Sequence, residues 1–171
     1  MSTEVAELKE ARGQLAELYV RHAPAAGRLA YLLTADQQQA EDLVQEAFVR
    51  IVGRFGHLRV PDAFDAYLRR TIVNLHASRL RRLRVERAYL ERERGRSVAS
   101  GGMPDLGARE ELWSALQRLP ARQRAAVVLR YYEDLSEQDA ADALRCSVAA
   151  VKSLVARAMQ TLRDEIGDEE R

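Results

Sequence analysis

The stretch from Leu135 to Leu162 constrains the fold more than any other part of the sequence, because it predicts two helices with a short break between them. Ser136, followed three residues later by Asp139, is a capping-box arrangement that begins a helix. The tripeptide Arg145-Cys146-Ser147 interrupts the pattern, and its serine can cap a second helix. In that second helix the apolar residues recur at spacings of three and four and share one face: Val148, Val151, Val155, Met159 and Leu162.

The opposite face of the second helix is small, polar and cationic. It carries Ala149, Ala150, Lys152, Ser153, Ala156, Arg157 and Gln160. Two helices joined by a three-residue turn, the second with a flat basic face, form a helix-turn-helix, whose second helix fits a DNA major groove. A helical hairpin with a solvated charged face is the alternative, because such hairpins are common and because Arg145 stands where the turn usually has glycine.

The bulk properties exclude several classes of protein. A length of 171 residues fits one ordinary domain or two small ones. The single cysteine excludes an internal disulfide and fits a reducing compartment, so we expect a cytoplasmic protein. No apolar run of about 18 residues exists, so no membrane span is expected. The N-terminus also lacks the basic and apolar regions of a secretory signal.

Charge is distributed unevenly although the net charge is only +1. Between Tyr67 and Arg84 there is no acidic residue and there are six arginines: Arg69, Arg70, Arg79, Arg81, Arg82 and Arg84. A local basic stripe matters more for phosphate binding than the total charge does. Uncompensated arginines repel one another unless an anion is near, so the stripe favours phosphate contact over a merely solvated basic face.

Helical spacing organises the chain into two parts. Residues 1–13 are polar and are expected to be disordered. Apolar residues then recur at three and four through 14–90, most regularly from Ala40 to Val52, while 91–107 loses all periodicity and is rich in glycine and serine, as a linker is. Residues 108–167 are helical again. We therefore predict an all-α fold of two small helical domains joined by a flexible linker, the second containing the helix-turn-helix.

The sequence offers no arrangement of catalytic or metal-binding residues. His22, His57 and His76 are scattered and lack metal-ligand spacing. There is no glycine-rich phosphate loop and no nucleophilic serine motif. The carboxylates of the Ala40–Val52 helix lack the Glu-x-x-His element of helical metal sites. We predict a protein that is not an enzyme and that binds no metal or cofactor.

Two motifs, in this order and with a basic helix between them, resemble bacterial RNA polymerase sigma factors of the extracytoplasmic-function (ECF) type. The first, QAEDLVQEAFVRIV from Gln39 to Val52, looks like the helix with which this family binds core polymerase. The second, LPARQRAAVVLRYYEDLSEQDAADALRCSVAAVKSLVARA from Leu119 to Ala158, looks like its promoter-reading helix-turn-helix. The resemblance extends from Leu15 to Ile166.

The resemblance implies three binding surfaces on this chain. The surface for the clamp coiled coil of the polymerase β′ subunit comprises Glu41, Asp42, Gln45, Glu46 and Phe48. The surface for the minus-ten element comprises Tyr67, Arg69, Arg70, Asn74, Arg79, Arg81 and Arg82, with a base-reading loop at 53–63. The surface for the minus-thirty-five element comprises Ser147, Ala149, Ala150, Lys152, Ser153 and Arg157.

The same resemblance implies the domains and the partners. Residues 14–90 are expected to form a region 2-like domain and residues 108–167 a region 4-like domain. The expected partners are core RNA polymerase, through its β′ and β subunits, promoter DNA, and an inhibitory anti-sigma factor. Relatives commonly have Gly-Thr where this chain has Ala149-Ala150, and many have arginine at Leu154, so their promoter sequence cannot be transferred. Two alternatives stay open: an independent helix-turn-helix regulator that does not join the polymerase, and an all-α adaptor without DNA dependence.

Overall fold

A computed structural model describes residues 2–52, 61–90 and 108–168, and within these ranges the chain forms helices and no strands, which confirms the all-α class. The helices are α1 (Ser2–Thr34), α2 (Gln37–Val52), α3 (Pro61–Leu90), α4 (Ala108–Arg118), α5 (Ala121–Val127), a π-helix (Val128–Tyr132), α6 (Glu137–Leu144) and α7 (Val148–Asp168). The expected linker, residues 91–107, lies outside the described ranges, as does most of the expected base-reading loop, residues 53–63. None of these helices combines the length and apolar character that a membrane span requires.

Helix α1 is longer than the sequence predicts. It begins at Ser2, so most of the segment expected to be disordered is helical. The segment lacks a strong apolar face, but alanine, glutamate, leucine, lysine and arginine dominate it, and these residues favour helix by intrinsic propensity. Pro24 lies within α1, which continues through it to Thr34.

A tight turn separates α1 from α2. Ala35 has a positive φ of 55°, and its N–H donates to the Tyr31 carbonyl at 2.8 Å. The Asp36 carboxylate then accepts a hydrogen bond from the Gln39 N–H at 2.8 Å, which caps α2. Helix α3 begins at Pro61, because proline suits the first turn of a helix.

Helices α1, α2 and α3 form the first lobe. The regular stripe of α2 faces inward as predicted, with Ala40, Leu43, Val44, Ala47, Phe48 and Ile51 buried. Leu29 and Leu33 of α1 and Leu68 and Ile72 of α3 complete the core, each no more than 1% exposed. Val52, the last residue of the α2 stripe, is 41% exposed because it lies at the end of the helix.

The second lobe consists of α4 to α7 and the π-helix, and its core is continuous with that of the first lobe. Ala125, Leu129 and Leu144 belong to the same buried cluster as Leu33 and Ile72. A smaller cluster between α4, α5 and α7 contains Ala115, Leu119, Val127, Ala158 and Leu162. The two lobes therefore pack directly against each other, α1 on α5 and α3 on α6.

Candidate nucleic-acid interface and docking surface

Local capping defines the helix-turn-helix formed by α6 and α7. The Ser136 Oγ accepts from the Asp139 N–H at 3.0 Å, which forms the predicted N-cap, and its hydroxyl donates to the Asp139 carboxylate at 2.5 Å. Arg145 ends α6 in the left-handed conformation, with φ 48° and ψ 57°. The Ser147 Oγ then accepts from the Ala150 N–H at 3.1 Å and begins α7. These contacts confirm the three-residue turn.

One face of α7, here called the recognition face, points away from the rest of the molecule. Its exposed members are Ala149, Lys152, Ser153, Ala156, Arg157 and Gln160, while Ala150 is partly buried. The opposite face is fixed in the core by Val151, Ala158 and Leu162. The face therefore presents small and cationic side chains on a rigid helix, the combination that a major groove accepts.

Two residues of the expected minus-thirty-five set already make contacts. The Lys152 Nζ lies 3.3 Å from the Glu137 carboxylate of α6, but the two side chains are 62% and 41% exposed. An exposed pair of this kind contributes at most about 1 kcal/mol, so Lys152 can exchange it for a phosphate. Ser147 uses its oxygen as an acceptor in the cap, which leaves its hydroxyl proton able to donate to a phosphate.

The exposed part of α3 carries a basic stripe. Arg70, Asn74, Arg82 and Arg84 are exposed, and Arg81 donates to the Ser78 hydroxyl at 2.9 Å. Tyr67 is only partly exposed, since it packs against the core of the lobe. The stripe leaves cations exposed for phosphate contact along one side of α3, and Tyr67 is only partly accessible.

Two arginines of the expected minus-ten set are compensated by carboxylates, which corrects the prediction that the six are unpaired. Arg69 contacts Asp65 at 2.9 Å and Glu133 at 2.6 Å, and the Glu133 side chain is only 7% exposed. Arg79 contacts Glu46 at 2.8 Å. The run from Tyr67 to Arg84 contains no acidic residue. The fold nevertheless brings three acids to its arginines: Asp65 from one helical turn earlier in α3, Glu46 from α2 and Glu133 from the second lobe.

The polar face of α2 is the candidate docking surface. Glu41, Asp42 and Gln45 are exposed. Glu46 is half-buried between Arg50 at 3.1 Å and Arg79 at 2.8 Å. The hydrogen bond from Arg79 holds the pKa of the Glu46 carboxyl below its usual value, so this acid stays charged. Arg79 thus links the docking surface to the basic stripe.

Phe48 does not lie on the docking surface, which corrects its placement among the contact residues. It is 5% exposed, and its ring lies 4.7 Å from Tyr19 and 5.9 Å from Phe64. Phe48 therefore supports the surface from beneath. The sequence reasoning missed Val49, which is 72% exposed beside the acids. Because Val49 lies outside the apolar stripe of α2, the sequence pattern already indicated that its side chain would be exposed.

The centre of the molecule contains two buried basic residues that no sequence pattern placed there. Arg124 of α5 is 7% exposed, and its burial lowers its pKa. His76 of α3 is 5% exposed, and burial, together with the positive charges of Arg124 and Arg79, lowers its pKa to about 4. In the part of the chain that the structure describes, no cluster of three or more histidine, cysteine or acidic residues could hold a metal ion.

Each of the two lobes matches the profile of a known protein family. The profile described as Sigma-70 region 2 matches residues 18–86, and that described as Sigma-70, region 4 matches residues 109–162. The chain is 36% identical over 156 residues to the ECF RNA polymerase sigma factor SigE of Mycolicibacterium smegmatis, covering 86% of this chain and 60% of that protein. It is 35% identical over 139 residues to the RNA polymerase sigma-E factor of Streptomyces avermitilis, covering 81% and 77%.

Comparison of folds gives a solved structure that includes both lobes. The chain is similar to the sigma factor RpoE of Bartonella quintana, which was co-crystallised with the anti-sigma factor NepR. The TM-score is 0.60 and the sequence identity is 25%. The match covers 90% of this chain and 97% of the other, so it extends across the first and the second lobe.

Proposed function

This chain belongs to the sigma-70 family, among its ECF sigma factors, and from that premise we propose that it joins core RNA polymerase and directs initiation at promoters with two elements. The observation that carries the proposal is the presence, in one chain, of an exposed acidic docking helix followed by an exposed recognition helix. In this role the protein itself catalyses no covalent step, because the polymerase supplies the chemistry. We infer that it acts in the cytoplasm, where the polymerase is.

The first lobe, within residues 14–90, is the proposed region 2 domain. The acids of α2 suit a basic partner surface such as the clamp coiled coil of the β′ subunit, and the exposed Val49 adds apolar area beside them. Arg70, Asn74, Arg81 and Arg82 of the basic stripe suit the phosphates of the melted minus-ten element. Arg69 and Arg79 would add to these contacts once their carboxylate partners are exchanged.

The second lobe, within residues 108–167, is the proposed region 4 domain. Lys152, Ser153 and Arg157 are exposed on the recognition face, while the opposite face of the same helix is buried in the core. In a major groove, long cations contact phosphates or guanine edges, and the small Ala149 and Ala156 permit close approach. We propose that this face reads the minus-thirty-five element, while contact with the β subunit follows from the family.

An inhibitory partner is the remaining element of the proposal. The Bartonella quintana relative is held by an anti-sigma factor in its crystal. We propose that a protein of this class also binds this chain. A pull-down from the native organism, with the purified chain as bait and in competition with core polymerase, tests this point, since an inhibitor would exclude the polymerase.

Run-off transcription tests the main proposal. Core polymerase is incubated with a library of promoter fragments, with and without the purified chain, and specific transcripts are expected only with it. The double variant Lys152→Ala, Arg157→Ala should lose these transcripts, whereas Arg118→Ala, in a 60% exposed side chain of α4, should keep them. Duplex binding without any polymerase-dependent transcript would instead favour an independent regulator, and absence of both activities would favour an adaptor.

A further inference from the structure

We propose that the end of α3 from Arg82 to Tyr89, here called the α3 extension, binds the DNA duplex between the two promoter elements, next to the minus-ten element. This inference rests on the proposed function, because it carries the DNA contact of the basic stripe beyond the minus-ten element. It depends on the exposure of the α3 extension, on the order of its residues and on its charge.

The α3 extension projects beyond the core of the first lobe. His76 and Ala77 are the last buried residues of α3, and Leu80 still packs against the core. From Arg82 to Tyr89, all eight consecutive residues are exposed, so no side of this part of the helix is covered within the described ranges. A short helical segment without packing is only marginally stable in water, and it therefore gains stability when another molecule covers it.

One side of α3 carries residues of the minus-ten set and of the α3 extension in a single row. The members recur at spacings of three and four: Tyr67, Thr71, Asn74, Ser78, Arg82, Val85 and Tyr89. The last two, Val85 and Tyr89, are 69% and 72% exposed. At 1.5 Å per residue the row is about 33 Å long, which corresponds to roughly ten base pairs of duplex. The row thus continues the proposed DNA-binding side of α3 by two helical turns.

Arginines make the α3 extension cationic. Arg84 and Arg87 follow Arg81 at spacings of three and lie in a second row beside the first, while Glu86 is the only acid from residue 67 to residue 89. Arg69 and Arg79 are held by carboxylates, whereas no carboxylate in the described ranges forms an ion pair with Arg84 or Arg87. The extension therefore presents uncompensated guanidinium groups, which suit a polyanion.

The order of the binding surfaces along the chain assigns this polyanion to the duplex between the promoter elements. Helix α3 follows the expected base-reading loop and precedes the lobe proposed for the minus-thirty-five element, so it leads from the first element toward the second. Its far end therefore meets DNA on the side of the minus-ten element that faces the minus-thirty-five element.

The side chains of the α3 extension suit contacts that do not depend on sequence. Guanidinium groups and a tyrosine hydroxyl donate to the phosphates of a duplex, and such contacts fix the position of a protein on DNA without reading bases. Val85 adds apolar area of the kind that contacts a thymine methyl group. Arg87 and Tyr89 lie beyond residue 86, the last residue that the region 2 profile matches. The extension therefore adds affinity for the spacer duplex, whatever its sequence.

The salt dependence of promoter binding tests the charge of the α3 extension. Core polymerase loaded with the full chain binds a labelled promoter over a series of salt concentrations. The double variant Arg84→Ala, Arg87→Ala should lower the slope of log affinity against log salt by about 2, since each duplex phosphate contact contributes about 0.9. The control Arg21→Ala, Arg118→Ala removes two exposed arginines of α1 and α4 and should keep the slope. Alanine favours helix, so α3 stays folded in the variant, which circular dichroism checks.

Uncharged DNA identifies the partner. In a second promoter, methylphosphonate linkages replace the phosphates in the first turn of duplex next to the minus-ten element, on the side facing the minus-thirty-five element. The parent should bind this DNA with the lower slope, and Arg84→Ala, Arg87→Ala should lose nothing further. The photo-crosslinker benzoylphenylalanine in place of Tyr89 should crosslink to the same stretch of an unmodified promoter, whereas in place of Glu17, an exposed residue of α1, it should not.

Run-off transcription with the same proteins separates the inference from the proposed function. Specific transcripts from the parent, together with an unchanged salt slope in Arg84→Ala, Arg87→Ala, would overturn the inference and leave the proposed function intact. A crosslink from position 89 only to residues 91–107 of the chain, or only to the polymerase, would do the same, because another surface would then cover the α3 extension. A parent that binds no core polymerase and gives no specific transcript would refute the proposed function, and the inference with it.

Discussion

His76 is a buried base without a hydrogen-bond partner for its Nε2 in the described ranges. Burial is the main cause of its lowered pKa of about 4, and the nearby charges of Arg124 and Arg79 act in the same direction. The imidazole is therefore neutral in the folded protein at neutral pH. Protonation would add a third positive charge near these two arginines.

Acid should destabilise the protein through His76. The unfolded chain binds this proton near pH 6.5, whereas the folded chain binds it only near pH 4, so stability is full above 6.5 and falls between 6.5 and 4. Between pH 7 and pH 4.5 the expected loss is about 2 kcal/mol from this residue. Urea unfolding at pH 7 and pH 4.5 measures it, and His76→Gln should reduce the difference. Equal pH profiles for the parent and His76→Gln would contradict the prediction.

Arg145 adopts a left-handed conformation that costs a residue with a Cβ about 1 kcal/mol. Arg145→Gly removes this cost but increases the entropy of the unfolded chain. We expect a net stabilisation of about 0.5 kcal/mol, measured by chemical unfolding. The matched control is Ala156→Gly, at an exposed position inside α7, which should destabilise by about 1 kcal/mol. If both substitutions destabilise equally, the strain at Arg145 is negligible.

At the scale of elements, the sequence correctly predicted those features that depend only on residues close together in the chain, such as helix stripes and helix caps. The stripe of α2 and the caps at Ser136 and Ser147 follow from spacings of three and four, and all three are present. The π-helix could not be predicted in this way. Its Glu133 N–H donates to the Val128 carbonyl, a turn wider than that of an α-helix, yet Val127, Val128 and Leu129 read as an ordinary apolar stretch.

The recognition face predicts two distinguishable effects in α7. Arg157→Ala should cost about 1 to 3 kcal/mol of promoter affinity if the guanidinium contacts a base, and it should relax specificity at that position. Lys152→Ala, if the lysine contacts a phosphate, should weaken all duplexes equally and lower the salt slope by about 1. Fluorescence anisotropy over a salt series separates the two. Unchanged affinity in both variants would mean that the face does not enter the groove.

The docking surface of α2 predicts a selective defect. Glu46→Lys should abolish binding of core polymerase, because it reverses a charge that the proposed basic partner contacts, and should leave the affinity of the second lobe for duplex DNA intact. Since Glu46 also holds Arg79, Asp42→Lys serves as a second variant at an exposed position. Glu17→Lys on α1, 72% exposed, is the control. If both α2 variants still bind the polymerase, the docking surface does not lie on α2.

At the scale of the whole molecule, the packing of the lobes could not be predicted from the sequence. Arg124 is 91 residues from Leu33, and Arg69 is 64 residues from Glu133. Each of these residues has an adequate local interpretation, as a helix former or as part of a solvated basic face. A count of charges along a short run cannot include the acids that a distant helix contributes. The periodicity that defines a helix also leaves open which neighbour covers its apolar face.

The shared core predicts cooperative unfolding of the two lobes. Because buried residues of both belong to one cluster, the parent should unfold in a single calorimetric transition. Glu133→Gln replaces a charged acceptor of Arg69 with a neutral one, which weakens the contact between lobes by about 1 kcal/mol or more. We expect this variant to broaden or split the transition, since each lobe then unfolds more independently.

Asp65→Asn is the matched control for that experiment, because Asp65 contacts the same arginine from within the first lobe. It should lower the transition temperature slightly without splitting the transition. If Glu133→Gln and Asp65→Asn have the same effect, Arg69 stabilises only the first lobe and does not couple it to the second. A split in Glu133→Gln alone would show that one ion pair transmits stability between the two DNA-binding surfaces, because only the contact across the boundary had been changed.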